Sequence, residues 1–182
     1  DDELLQKYSL NDNEPDDYHY VGQSGCLEVE SKSDEDDFTE VKDAMKDLNF
    51  NDMDSHNLWT VVSSVLHLGN VNFKSVDDTR GGEGSGVDND ESKKKLKIAS
   101  DLLGIVSPEW FERALTITLL KDVRGSFIAR RHSPMTATDN RNAICKELYN
   151  RTFNWLVQKI NKAVQRDHGS GGSSKESIMV VG

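Results

Sequence analysis

The sequence predicts a mainly α-helical fold with one small β-hairpin and a short C-terminal strand. Apolar residues recur at helical spacing over several long stretches, which favours packed helices. β-Branched residues flank a basic turn around Arg124, which favours a hairpin. The chain closes with the apolar run Ile178–Gly182, typical of a buried strand. The 182 residues are enough for one domain with a substantial hydrophobic core.

The first part of the chain predicts an irregular entry followed by a helix. Residues 1–33 contain a loop at Asn11–Asp17, because a proline and clustered acids disfavour regular structure. A helix is predicted to begin near Asp36, where preceding acids suit a helix N-terminus. Its apolar face is formed by Phe38, Val41, Met45 and Leu48.

A second helix is predicted to be central and buried, because Leu58–Leu68 is apolar almost all round. Asp54 is its predicted N-cap. Gly69–Asn70 is its predicted end, with the glycine in the left-handed capping conformation. His67 lies within this run and is expected to be buried and hydrogen-bonded rather than catalytic.

The middle of the chain predicts a loop and two further helices. The glycine-rich stretch Lys74–Asp90 is expected to be a flexible loop. A third helix is predicted to follow it and to end at Gly104. A short fourth helix is predicted from Ser107 as N-cap with Pro108 at the first position.

The hairpin is predicted from the strands Thr116–Lys121 and Ser126–Arg131, joined by a turn at Asp122–Gly125. A long helix from about Thr136 to Gln165 should follow, because its apolar residues keep an approximate 3.6-residue period. The predicted hairpin therefore lies between a short helix and a long one.

Charge is unevenly distributed along this acidic chain, whose formal net charge is -10. Residues 1–56 carry 18 acidic and 4 basic side chains, whereas residues 57–182 carry 14 acidic and 18 basic ones. A general nucleic-acid binder would not show this pattern, but a local basic patch for an acidic partner would. Such a patch falls in the hairpin, where four cations accompany the single acid Asp122: Lys121, Arg124, Arg130 and Arg131.

Several kinds of site are not indicated. Cys26 and Cys145 are expected to be reduced thiols. No apolar run approaches the roughly 20 residues that span a bilayer, so we expect a soluble chain without direct membrane contact. No glycine-rich phosphate loop, metal-ligand spacing or nucleophile–base pair is visible, so no catalytic, cofactor-binding or metal-binding residue is predicted.

Three stretches, in this order, resemble the myosin motor head. They are "DDYHYVGQSGC" from Asp16, "SSVLHLGNVNF" from Ser63 and "RNAICKELYNRTFNWLVQKIN" from Arg141. The resemblance covers about Leu4 to Gly182. Asn142 departs from it, because the family usually has aspartate there.

The resemblance implies that residues 1–182 are a single segment of the motor domain, its upper fifty-kilodalton subdomain. The segment is expected to end just before the second nucleotide switch, so its last strand would join the larger mixed sheet of a P-loop motor core. ATP and magnesium would then belong to the intact motor, and the parent protein would be the ATPase. We expect this chain alone to bind no ATP and to be inactive.

The resemblance also implies a role for the hairpin. The stretch from about Leu119 to Pro134 corresponds to the family's cardiomyopathy loop, which touches the acidic surface of actin. The expected contact residues are Lys121, Arg124, Ser126, Arg130 and Arg131.

Ser126 lies sixteen positions before Asn142, where the family has a threonine, glutamate, aspartate or serine. Ser126 is therefore the expected phosphorylation site for a heavy-chain kinase, typical of class I myosins. The expected partners are the actin filament and the rest of the motor, and the expected location is the cytoplasmic actin cytoskeleton.

A second hypothesis stays open. The chain could be a non-motor helical interaction module that binds an acidic partner without any ATPase. A phosphate loop before this segment and a second switch after it in the parent sequence would favour the motor.

Overall fold

The computed structural model describes residues 2–11, 14–78 and 82–169. The helices are α1 Asp2–Lys7, α2 His19–Gly22, α3 Asp34–Asp47, α4 Asp52–Gly69, α5 Asp90–Leu102, α6 Pro108–Thr116 and α7 Pro134–Gly169, with a 3₁₀ turn at Pro15–Asp17. The strands are β1 Phe73–Asp78, β2 Gly82–Val87, β3 Ile117–Lys121 and β4 Phe127–Arg131. The mainly helical prediction is confirmed, and the predicted strand Ile178–Gly182 lies outside the described residues.

Within the residues that the structure describes, two antiparallel hairpins accompany the helices, where the sequence predicted one. β3 and β4 pair from Ile117–Arg131 to Lys121–Phe127, as expected. The expected flexible loop at Lys74–Asp90 is wrong, because β1 and β2 pair from Phe73–Val87 to Asp78–Gly82. The Glu112 carboxylate of α6 accepts a hydrogen bond from the Val87 N–H at 2.9 Å, which fastens this hairpin to a helix.

Helix α4 begins with a reciprocal capping box rather than with the predicted Asp54 cap. The Asn51 side chain accepts from the Asp54 N–H, and the Asp54 carboxylate accepts from the Asn51 N–H, both at 2.9 Å. Asparagine caps as well as aspartate does, so the helix starts one turn earlier and uses Asp54 at its third position.

The glycines at the ends of α4 and α5 have different roles. Gly104 has φ of +68° just after α5, and the Ile105 N–H reaches the Ser100 carbonyl at 2.8 Å. The predicted end of this helix at Gly104 is thus a left-handed stop, although the left-handed conformation was predicted for Gly69 instead. Gly69 does not adopt that conformation and is the last residue of α4. A Cβ on Gly69 would lie 2.7 Å from a ring carbon of Tyr20, so glycine is needed there for close packing.

One hydrophobic core joins four helices and the first hairpin. Helix α4 contributes Leu68, α5 contributes Leu96 and Ala99, and α7 contributes Cys145. The other buried members are Val71, Val87, Phe111 and Leu115. The long helix and the central helix therefore pack in one core.

His67 is fully buried in this interior, which confirms its prediction. Its Nε2–H donates to the Tyr8 carbonyl at 3.2 Å, and the Tyr18 ring meets it edge to face with centroids 5.8 Å apart. Burial lowers the pKa of His67, and the nearby Lys95 charge acts in the same direction. The neutral imidazole is therefore the form that the fold prefers.

We expect the free energy of unfolding to fall as the pH drops below about 6.5, the ordinary histidine pKa. The unfolded chain binds the His67 proton more readily than the folded chain, so acid favours unfolding. Urea unfolding at several pH values checks this. His67→Gln should flatten the dependence, whereas the exposed His19→Gln should leave it unchanged. A dependence that survives His67→Gln would contradict the assignment.

Gly69→Ala should destabilise the fold. Crowding of the Tyr20 ring costs about 1–3 kcal/mol, which outweighs a helix-propensity gain of at most about 1 kcal/mol. Urea midpoints measure the change. In a Tyr20→Ala background the same substitution should become neutral or stabilising, because the crowded ring is gone. Equal losses in both backgrounds would argue against the packing role.

Candidate functional site

The β3–β4 hairpin turns through a short loop that its sequence specifies. The Gly125 N–H donates to the Asp122 carbonyl at 3.0 Å, and the Asp122 N–H donates to the Ser126 carbonyl at 2.8 Å. Gly125 has φ of +83°, which favours glycine. The loop is thus a type I turn followed by a glycine bulge, one of the common hairpin connections.

Asp122, the one acid in the basic segment, has a structural role. Its Oδ1 accepts from the Arg124 N–H at 2.9 Å and from the Ser126 N–H at 2.8 Å. Aspartate side chains often fold turns in this way. The carboxylate holds the backbone of both residues, so the position of Ser126 is fixed by the turn.

The strand register separates the four cations. Paired residues share a face of the hairpin and successive residues alternate. Lys121 therefore shares one face with Arg131, whereas Arg130 lies on the opposite face. Lys121 belongs to the pair next to the turn and Arg131 to the pair farthest from it, about 13 Å away for four residues of strand. The tip holds Lys121, Arg124 and Ser126.

Arg131 at the base of the hairpin packs on the other hairpin. Its Cδ lies 2.7 Å from the position that a Cβ on Gly84 would occupy, so the arginine stem crosses the backbone of β2. Sequence reasoning grouped all five predicted contact residues. The structure brings three of them together at the tip and leaves Arg130 and Arg131 exposed along β4.

The hairpin also exposes apolar side chains that a charge-based analysis did not select. Leu119 is 63% exposed, Phe127 is 69% exposed and Val123 is fully exposed. Leu120 and Ile128 pair on the opposite face and are also exposed. The adjacent leucines at 119 and 120 could have predicted this exposure, because neighbouring residues of a strand point to opposite faces and cannot both face one core. The site is therefore a mixed surface, basic at the tip and apolar on both faces.

Ser126 is exposed, and in the described part of the chain no side chain bonds to its hydroxyl. The hydroxyl is therefore accessible for modification. A phosphate there would lie close in sequence to the Arg124 cation and beside the Asp122 carboxylate.

Among residues 2–11, 14–78 and 82–169, no three histidine, cysteine, aspartate or glutamate side chains are grouped as metal ligands would be. The helices within those ranges are all too short or too polar to cross a membrane.

The fold and this site define a helical module that presents an exposed basic hairpin. Residues 1–181 match the family model for the myosin head, the motor domain. The chain belongs to that family.

The chain is similar to several curated myosins. It is 40% identical to a myosin-I heavy chain of Dictyostelium discoideum over 165 residues, 91% of this chain and 7% of that protein. It is 33% identical to Arabidopsis thaliana myosin-6, covering 92% of this chain and 11% of the relative. It is 34% identical to human unconventional myosin-XV, covering 89% and 4%. The chain thus spans about a tenth or less of the length of these relatives.

Asp122→Ala should loosen the tip. Loss of two hydrogen bonds should speed amide exchange at Arg124 and Ser126 about 10-fold, the effect of a bond worth about 1.4 kcal/mol. Exchange measured by NMR checks this. The control is Asp101→Ala, which removes an exposed acid of α5 and should leave the tip unchanged. Unaltered exchange at both amides in Asp122→Ala would show that the carboxylate does not hold the turn.

Proposed function

We propose that this chain acts within an actin-based, ATP-driven myosin motor, and that the tip of the β3–β4 hairpin is an actin contact. The supporting observation is the tip itself, where Lys121 and Arg124 are exposed while Asp122 is bonded to the turn. Cations on a projecting loop steer an acidic surface toward it. The exposed Phe127 and Leu119 then supply apolar area for close contact.

ATP and magnesium bind elsewhere in this proposal. The described residues of this chain provide packing and the contact surface, and the rest of the motor domain is the second partner. The motor works on the actin cytoskeleton in the cytoplasm. Family membership supports this function over a non-motor module for an acidic partner, which would bind through the same tip without ATPase activity.

Class I is the proposed class. The identity to the Dictyostelium discoideum myosin-I heavy chain is 40%, against 33% and 34% for the plant and human relatives named above. The position of Ser126 supports the same class, because a phosphorylatable residue sixteen positions before Asn142 fits its regulatory pattern.

Ser126 is the proposed target of a heavy-chain kinase. Its hydroxyl is exposed and Arg124 lies two positions before it. A phosphate adds about -1.5 to -2 charges at neutral pH. Such a group repels the Asp122 carboxylate and attracts the Arg124 guanidinium, so it alters the turn that places both. Modification therefore changes the shape of the contact as well as its charge.

Neutralising the tip tests the actin contact. Lys121→Gln with Arg124→Gln in the intact motor should weaken binding to filamentous actin about 3- to 30-fold, if each of the two charges contributes about 0.3 to 1 kcal/mol. The loss should be larger at about 0.01 M salt, where the Debye length is about 30 Å, than at about 0.15 M. Cosedimentation measures both.

The matched control removes two cations from α5, Lys93→Gln with Lys97→Gln, at the same cost in net charge. An equal loss in the control would mean that net charge alone acts. Full affinity in the tip variant at low salt would refute the contact.

The regulatory proposal has its own test. Ser126→Ala and Ser126→Glu are compared in the intact motor for actin-activated ATPase. We expect Ser126→Glu to be the more active, because negative charge at this position activates motors of the proposed class. Equal activities would identify Ser126 as an ordinary loop serine, while the actin contact would stand or fall by the charge variants.

A further inference from the structure

A cavity of about 450 Å³ lies between α1, α3 and the first turns of α4, and it contains no residue of the hairpin. Its volume falls within the roughly 300–1,000 Å³ typical of small-molecule sites. Four ring side chains line it, which are Tyr8, Phe50, His56 and Trp59. Three lysines lie around the same cavity, which are Lys7, Lys42 and Lys46.

The aromatic wall is held in place by its own contacts. The Tyr8 and His56 rings stack with centroids 5.9 Å apart and planes 28° apart. The Tyr8 hydroxyl and His56 Nδ1 lie 3.1 Å apart in a hydrogen bond. Trp59 packs at 5.3 Å against Phe38, so its position is also constrained. A flat ring entering the cavity would meet surfaces that need little rearrangement.

The lysines are concentrated at this cavity, although residues 1–56 are strongly acidic. Residues 1–56 contain four basic side chains among 18 acids, and three of the four line this cavity. The fourth, Lys32, approaches Asp37 at 3.8 Å. Asp52 is the acid of the lining, and Lys46 is paired with Asp43 at 2.8 Å. In the described part of the chain, Lys7 and Lys42 form no ion pair.

Lys7 and Lys42 are positioned by aromatic rings. The Lys7 ammonium lies 5.6 Å from the Tyr8 ring centroid, and the Lys42 ammonium lies 4.8 Å from that of Phe38. These cation–π contacts keep both charges beside the aromatic wall. An anionic group on a bound ring could therefore meet two ammonium groups at the cavity rim.

The negative charge around the cavity favours a small ligand over a protein or a membrane. Helix α3, which contributes Lys42, Met45 and Lys46 to the lining, carries seven exposed acids along its length, which are Asp34, Glu35, Asp36, Asp37, Glu40, Asp43 and Asp47. An acidic protein or a membrane of anionic lipids would have to approach this surface and would be repelled. A small molecule that fits within the cavity avoids most of it.

We propose that this cavity binds a small aromatic anion, with its ring against Tyr8, His56 and Trp59 and its charged group at Lys7 and Lys42. The ring wall supplies apolar contact and the two ammonium groups supply charge-assisted hydrogen bonds. This site is independent of the actin proposal, because it shares no residue with the hairpin.

The probe is 1-naphthyl phosphate, compared with neutral 1-naphthol. The full chain is titrated with each, and binding is followed by NMR shifts of the amides of Tyr8, Lys42 and Trp59. We expect saturable binding of the phosphate, at least about 10-fold tighter than naphthol, since one charge-assisted hydrogen bond is worth about 1.4 kcal/mol or more. Equal affinities for the two probes would overturn the proposal.

Matched variants locate the charge. Lys42→Gln should weaken phosphate binding about 3- to 10-fold, whereas Lys32→Gln, which removes the base outside the cavity, should not change it. Lys7→Gln on α1 repeats the test on another helix if Lys42→Gln unfolds, as thermal melting would reveal. Equal effects of Lys32→Gln and Lys42→Gln would overturn the proposal. Tighter binding of an acidic peptide than of naphthyl phosphate would also overturn it.

Discussion

The fold depends on one buried guanidinium. Arg141 of α7 is almost fully buried, and its Nη1 donates to the Gly69 carbonyl at 2.9 Å and to the Val71 carbonyl at 2.7 Å. Those carbonyls close the C-terminal end of α4, where the helix dipole is negative. Arg141 Nε and Nη2 both donate to Asn142 Oδ1, so backbone and amide oxygens, rather than a carboxylate, satisfy this buried cation. Tyr20 joins the cluster by donating its hydroxyl to the same oxygen at 2.6 Å. Burial is the main reason that the Tyr20 pKa is raised to about 12. The hydroxyl therefore stays protonated and can donate this hydrogen bond.

A second junction fixes the other end of the same helix pair. Lys159 of α7 bonds to the Asp54 carboxylate in the first turn of α4, and its ammonium lies 4.9 Å from the Phe50 ring. The hydrogen bond from Lys159 contributes most to lowering the pKa of Asp54. Arg141 meets the end of α4 and Lys159 meets its beginning, so the two helices run antiparallel. This pairing supports the core that the remaining helices complete.

The contacts between α4 and α7 also help to position the β3–β4 hairpin. The Asn140 amide donates to the Leu115 carbonyl at 2.9 Å, which ties the start of α7 to the end of α6. The His132 N–H donates to the Thr116 carbonyl at 2.9 Å, closing the base of the hairpin between those two helices. Arg131 then rests on Gly84 of the neighbouring hairpin. The exposed tip thus projects from a base that is fixed on two sides, which suits the actin contact proposed for it.

The sequence by itself determined the features that arise within a few residues. Ser107 and Pro108 start α6, Gly104 stops α5, and Asp122 with Gly125 turns the hairpin, because capping and turn geometry are local. Tertiary structure alone decided the rest. The glycine-rich sequence of the β1–β2 hairpin predicted a loop. In the structure Glu112, on a helix distant in sequence, accepts a hydrogen bond from Val87 and holds the hairpin. The sequence predicted Gly69 as a left-handed helix cap. In the structure glycine is required there because the Tyr20 ring leaves no room for a Cβ. The cations near Arg124 formed one group along the chain, and strand register placed them on opposite faces and at opposite ends. In the first two cases the deciding partner is remote in sequence, so packing between elements set the outcome, whereas the cations were separated by the pairing of two neighbouring strands.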